Sequence, residues 1–456
     1  MKASETTPLY TRQLVHRVCG LPVRRRELAV AIILAVVFLA VASKDAANNA
    51  LPVILPALRT ETAEPMVVSV LPGVGAIFYA AGKLSQIFVS HFLGATHGLF
   101  GVMLFGGLGM LAFALGDAAM LVIGWSVAQF AAAHTWGACT RLSAGWVDHA
   151  HHGRVFGVVF GVAGGGSSSV LVLVYSLMLD AGVGWRGPPL LSAGLFLAVA
   201  AITATAVRDA ATEVGFRAPL PARNAGAEGA PPPHPLDDAT LRAAVSSCAK
   251  SGRAWLTVLA CGGYAVAWGG SLTYGPLYAV AQLGASEGDA ARLTIAGTLG
   301  ALCGALAGGF LRDAARGRGV FACALAIKSV GLAAAVLWLA LDGGSAPSDA
   351  LSLRFLGGIV FTIFLSIEFS WNVMISVFAL RYGGPAHSST LVGIQDVVSF
   401  SVKVPFLFAQ GGLIEAGGAA GYTAVIVLVG LALAFAHACI LAFLWADRDL
   451  EGAHVS

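Results

Sequence analysis

The chain has 456 residues, of which 57% are hydrophobic and 11% charged, and its formal net charge is +3. A soluble domain carries about 25% charged residues, so this composition excludes two or three soluble domains. With a mean hydropathy of +0.80 it fits an integral membrane protein. No basic, aromatic-interleaved patch for nucleic acid occurs, and the seven cysteines stand singly without a C-x-x-C. The cysteines read as small packing residues, and no metal or cofactor constellation is expected.

Apolar segments of about 18 or more residues are candidate membrane helices. They fall at 28–55, 66–90, 97–116, 118–142, 155–179, 188–207, 254–282, 293–311, 319–341, 355–380, 388–413 and 420–446. The expected fold class is all-α and polytopic, with twelve transmembrane helices. The domain plan is an N-terminal segment 1–27, a six-helix half 28–207, a linker 208–253, a second half 254–446 and a tail 447–456. The linker contains "APLPARNAGAEGAPPPHPLDD", a Pro/Ala/Gly-rich stretch that reads as flexible. Of the 27 lysines and arginines, eighteen fall on the side of the termini and four in the opposite loops, which predicts cytoplasmic N- and C-termini. The first apolar run is long and no small-residue cleavage site stands out, so it reads as a span rather than a leader.

The first span holds the least expected stretch, "FLAVASKDAANNALPVIL" from Phe38. It puts Lys44 and Asp45 inside an apolar run, with Asn48 and Asn49 behind them. At about 100° per residue, Lys44 is expected to stack with Asn48 and Asp45 with Asn49, so the two charges do not face one another. Pro52 and Pro56 are expected to disrupt the helix and free backbone carbonyls. Lys83 follows on the second span. His134 and Arg141 share a face of the fourth, with Arg141 nearer the cytoplasmic end. The loop "DHAHHG" (Asp148 to Gly153) reads as solvated rather than as a metal site.

In the second half, Glu368, Asn372 and Ser376 form a stripe on the tenth span, and Asp396, Ser399 and Lys403 a face of the eleventh. Lys44, Lys83 and Lys403 against Asp45, Glu368 and Asp396 sum to zero, so no strongly cationic cage is visible. An ionisable group at mid-membrane costs about 2.5–3.5 kcal/mol on insertion scales. Two readings stay open: these groups line a solute cavity, or they form a packing network, including a Glu368–Lys403 or Asp396–Lys403 pair. Tyr79, Trp268, Tyr274 and Trp371 are candidate cavity aromatics.

The halves echo each other: "GAIFYAAGK" from Gly75 and "GALCGALAG" from Gly300 both sit in the second span of their half. The latter continues as "GFLRDAARGRG", which has the G-x-x-x-D form of the inter-helix loop of the major facilitator superfamily. "WGACTRLSAGWVDHAHHG" resembles the fourth span and following loop of the organophosphate:phosphate antiporter branch, through Trp136, Cys139, Arg141, Trp146 and Gly153. Lys44, eight residues before Pro52, and Lys83 are similar to cationic positions of that branch. The resemblance departs where Trp268 stands for a seventh-span Arg, Ala163 for a fifth-span His, and His91-Phe92 for an Asp-Arg.

The resemblance implies the major facilitator fold in two six-helix halves. It implies a secondary transporter of a small solute, expected to be an organic anion, with a gating role for Arg141, Asp313 and Arg381. Expected partners are the solute, membrane lipids and a coupling proton or counter-transported anion, with a monomer as the working unit. The alternatives are a proton-coupled symporter or exporter of another solute, and a polytopic receptor or enzyme. No P-loop, H-E-x-x-H or G-x-S-x-G occurs, so an enzyme is not expected.

Overall fold

The structure is a computed structural model. It describes residues 16–18, 21–23, 26–62, 66–147, 155, 161–216, 238–314, 318–342, 349–378 and 384–446. Two three-residue strands, β1 (His16–Val18) and β2 (Leu21–Val23), pair antiparallel ahead of the first span. Everything that crosses the membrane is helical, because in hydrocarbon a backbone must satisfy its own hydrogen bonds.

The helices are α1 (Arg26–Thr62), α2 (Met66–Leu115), α3 (Ala118–Trp146), α4 (Ser167–Asp180), α5 (Gly187–Ala206), α6 (Asp238–Lys250), α7 (Gly252–Leu283), α8 (Glu287–Ala314), α9 (Arg318–Asp342), α10 (Asp349–Phe378), α11 (Gly384–Gly417) and α12 (Ala419–Ala446). Twelve segments are long and apolar enough to cross a membrane. Helix α2 supplies two of them, Val68–Gln86 and Leu93–Leu115, while the short polar α6 supplies none.

Three local results follow from backbone chemistry. Helix α1 runs unbroken through Pro52 and Pro56, contrary to the expected disruption; neighbouring helices in a membrane bundle tolerate the carbonyls that proline leaves unpaired. Helix α2 breaks at Gly94, whose φ of 73° belongs to the left-handed region that favours glycine. The linker is not uniformly irregular. Its last part is α6, which lays Val245 and Cys248 against Val258 and Leu391 of the second half. Residues 217–237 lie outside the described residues.

The first half packs α2 along α3 and α5, with α1 against both α3 and α5. The second half packs α8 along α10, and α7 along α11 and α12. The echo read from the glycines has a packing basis. A Cβ at Gly82 would strike the Phe130 carbonyl of α3, and a Cβ at Gly300 or Gly304 would strike the Phe361 or Leu365 carbonyl of α10. In both halves, small residues on the second span let it press against the fourth span's backbone.

The halves meet through α2 on α11, α4 on α8, and α1 on α7 and α8. Several polar contacts between them lie at the face where α1 ends and α12 begins. Arg59 donates to the Tyr422 hydroxyl at 3.0 Å, the Ser69 amide to Glu415 at 3.2 Å, and Ser176 to the Gly288 carbonyl at 2.9 Å. Arg292 bridges to Asp180 at 2.5 Å. These contacts clasp that face shut.

Candidate functional site

Lys44 stands midway along α1, and its ammonium pairs with Asp45 at 2.6 Å. This corrects the expectation that the two do not face one another. Their Cα–Cβ bonds diverge by about 100°, but the four-carbon lysine stem curls around the helix and closes the gap. Asn49 turns back to donate to the Asp45 carbonyl at 2.8 Å, while the Asn48 side-chain oxygen is buried without a hydrogen-bond partner.

On α2, buried Lys83 reaches across the boundary between halves to Asp396 of α11, at 3.2 Å. Lys44, Asp45 and Lys83 lie within electrostatic reach of one another. Two ion pairs, one within α1 and one between halves, therefore form a single cluster. Bringing charged groups into a low-dielectric interior costs several kcal/mol per ion unless each has a partner, and each of these four has one.

Aromatic rings wall the cluster. Tyr79 of α2 meets Phe400 of α11 with centroids 4.7 Å apart, and Phe400 lies 6.4 Å from Trp371 of α10. Trp268, at the position where the resembled branch has an arginine, packs on Phe364 at 4.8 Å. Tyr274 donates to the Leu407 carbonyl at 2.9 Å and is a core residue. Lys403 holds its Nζ 5.7 Å from the Phe400 ring and forms no ion pair among the described residues. Of the two pairs open to Lys403, Asp396–Lys403 is not formed: Asp396 pairs with Lys83 instead, because the reach that counts runs between halves rather than along α11. Glu368 lies against Gly304 of α8.

His134 does not enter the cluster as an open ligand. Its Nδ1 donates to the Phe130 carbonyl at 2.8 Å, and its Nε2 lies 2.9 Å from Ser85 Oγ, tying α3 to α2. The side chains of Asn372 and Asp313, together with Arg381 and the loop 148–154, lie outside the described residues.

Paired charges on facing spans of two six-helix bundles identify a kind of molecule, and the sequence agrees. The family profile described as the Major Facilitator Superfamily matches residues 33–404. The chain belongs to the major facilitator superfamily. It is accordingly a membrane transporter, and its fold is the superfamily's. Among solved structures it is similar to a single-residue mutant of the nucleoside transporter NupG, with a TM-score of 0.65 and 12% identity over 91% of this chain and 100% of that one. It is also similar to a bacterial homologue of the human lysosomal transporter Spinster in an inward-facing, unoccupied conformation, with a TM-score of 0.63 and 12% identity over 92% of this chain and 98% of that one. At that identity the likeness is one of fold. No curated protein matches the sequence.

Two features of this superfamily member escape sequence reasoning. The first is Asp209, just past α5. Its carboxylate accepts from the Thr96 amide at 2.6 Å and the Ala95 amide at 3.3 Å, capping the helix that restarts after Gly94. Trp146 donates to the neighbouring Arg208 carbonyl at 2.9 Å. Burial alone would raise the Asp209 carboxyl, but the Thr96 and Ala95 hydrogen bonds and the nearby Arg141 outweigh it and hold it below the ordinary value. Arg141, expected to gate, thus sits beside an acid. A cavity of about 520 Å³ opens here, lined by Thr96, Phe100, Arg208, Asp209 and Glu213. It lies at the face of the chain ends, apart from the charged cluster.

The second is Lys328 on α9, which is 0% exposed. Its sequence signal is a lone lysine in the apolar run "FACALAIKSVGLAAAV", the same signal that marks Lys83.

Proposed function

We propose that this protein is a secondary active transporter of a small organic anion, working by alternating access about the Lys44–Asp45 and Lys83–Asp396 cluster. The observation that carries the reading is the Lys83–Asp396 pair, because it joins the halves through groups that a solute anion can separate. A carboxylate or phosphate group arriving beside Lys83 competes with Asp396 for the same ammonium. The bridge between halves then becomes a solute contact, and rocking of one half against the other is coupled to occupancy.

The clasp at the face opposite the chain ends supports a state closed on that side. The Lys/Arg asymmetry favours cytoplasmic chain ends, and together with the clasp it supports an inward-facing reading, the sense named for the Spinster homologue. In this reading the plan is a half at 28–207, a linker at 208–253 and a half at 254–446, with Asp45, Asn48, Glu368, Asn372 and Lys403 around the solute. Arg141, Asp313 and Arg381 act at the cytoplasmic ends, and the protein is not an enzyme.

The test is counterflow in proteoliposomes with inorganic phosphate, glycerol phosphate, succinate and lactate, and with uridine as the neutral comparison. Trans-stimulated uptake of at least one anion is expected. Stimulation by uridine alone would overturn the anion reading.

A further inference from the structure

Lys328 is a fourth lysine inside the membrane and, unlike Lys44 and Lys83, it forms no ion pair among the described residues. Its Nζ lies 3.7 Å from the centroid of the Tyr264 ring and has no hydrogen-bond partner among the described residues. The groups that face it can be named helix by helix. From α7 they are Cys261 and Tyr264. From α12 it is His437, whose Nδ1 is also buried without a partner. Helix α10 brings Ser366 to the α9 seam at Gly331, while its one acid in this stretch, Glu368, has its Cβ against Gly304 of α8, about 200° around the helix from Ser366.

No carboxylate among the described residues neutralises an ammonium at this place. The Tyr264 ring offsets only part of the desolvation cost that a buried cation carries.

Cys261 stands between this amine and α11. Gln395 of α11 donates to Cys261 Sγ at 2.8 Å, and its own side-chain oxygen is buried without a partner. The next residue along α11 is Asp396, the acid that Lys83 holds across the halves.

We propose that Lys328 is a coupling-proton site, whose amine takes up the proton that accompanies an anionic solute in the central cluster. The step is acid–base only. A hydronium ion arriving at the amine gives its proton to the Nζ lone pair and departs as water, and release reverses this. The ammonium formed is offset by the negative charge of the solute, or by Asp396 when the solute displaces it from Lys83. Proton and anion therefore enter together more readily than either alone. The accompanying anion rests on the function proposed above, whereas the proton site does not.

The test reads the proton directly. Purified protein in weakly buffered detergent is titrated from pH 9 to pH 6, in a His437→Gln background that removes the histidine facing the site. Lys328→Met supplies an apolar side chain of similar length, and Lys328→Gln is the second variant. The parent should take up about one proton per molecule more than either. Equal uptake would overturn the proposal. Normal uptake together with failed anion counterflow would keep the proton site and retire the anion.

Discussion

Asp209 shows how much one side chain does at the face of the chain ends. Its carboxylate caps a helix that can restart only because Gly94 takes a positive φ, and it faces Arg141. Replacing it by Asn should cost about 1 kcal/mol, the order for a half-exposed charge-assisted hydrogen bond. The folded carboxyl titrates below its unfolded value, so its stabilisation is complete above about pH 4 and fades as pH falls through the lowered value. Thermal unfolding in detergent should show a constant gap between wild type and Asp209→Asn from pH 8 to pH 5, which narrows as pH falls below about 4. A gap that widens toward low pH would contradict this. Sequence reading reaches Lys44, Asp45, Lys83 and Asp396 because a charge interrupting an apolar run is visible in one dimension. It misses who pairs with whom. Lys44–Asp45 depends on the bend of a flexible stem, and Lys83–Asp396 on two halves meeting. Asp209 is hidden because a loop acid after a span looks solvated until Gly94 and Ala95 are seen beside it.

Helices α8 and α10 give the sharpest comparison at the level of elements. Gly300 has no room for a Cβ beside the Phe361 carbonyl, whereas nothing lies within 4 Å of a Cβ at Gly358. Gly300→Val should destabilise by about 1–3 kcal/mol, the range for overpacking, while Gly358→Ala should stay near wild type. Fluorescence-detected size exclusion after heating would check both, and equal behaviour would refute the close packing. The twelve spans are legible in sequence because hydrocarbon demands long apolar runs. The helix α6 is not, because its polar surface and its position behind a Pro-rich stretch resemble those of a linker. Nor are Pro52 and Pro56 decisive on their own, since the surrounding bundle decides whether a proline breaks a helix.

At the scale of the whole molecule, the proposed alternating access requires the two halves to part and close. Ser69 of α2 and Gly411 of α11 approach so closely that a Cβ on Gly411 would stand 2.4 Å from the Ser69 Cα and 3.0 Å from its Cβ, so a disulfide here needs the two helices to part slightly. With native cysteines removed, Ser69→Cys with Gly411→Cys should cross-link under mild oxidant, lowering transport at least tenfold and recovering on reduction. Normal transport by the cross-linked protein would show that this face need not open. Orientation has its own check. A single cysteine at Gly344 should react with an impermeant thiol reagent from outside, and one at Gly229 only from inside. The central claim is that Lys83 binds the solute's anionic group in competition with Asp396. Its most direct measurement is the half-saturation concentration, by counterflow, for the anion the protein carries, in Lys83→Gln, Asp396→Asn and the double variant. Lys83→Gln should weaken binding about tenfold or more, as expected when a desolvated charge loses its partner, and adding Asp396→Asn should not restore it. A double variant that binds and transports like wild type would contradict the claim and leave Lys83–Asp396 as a packing pair.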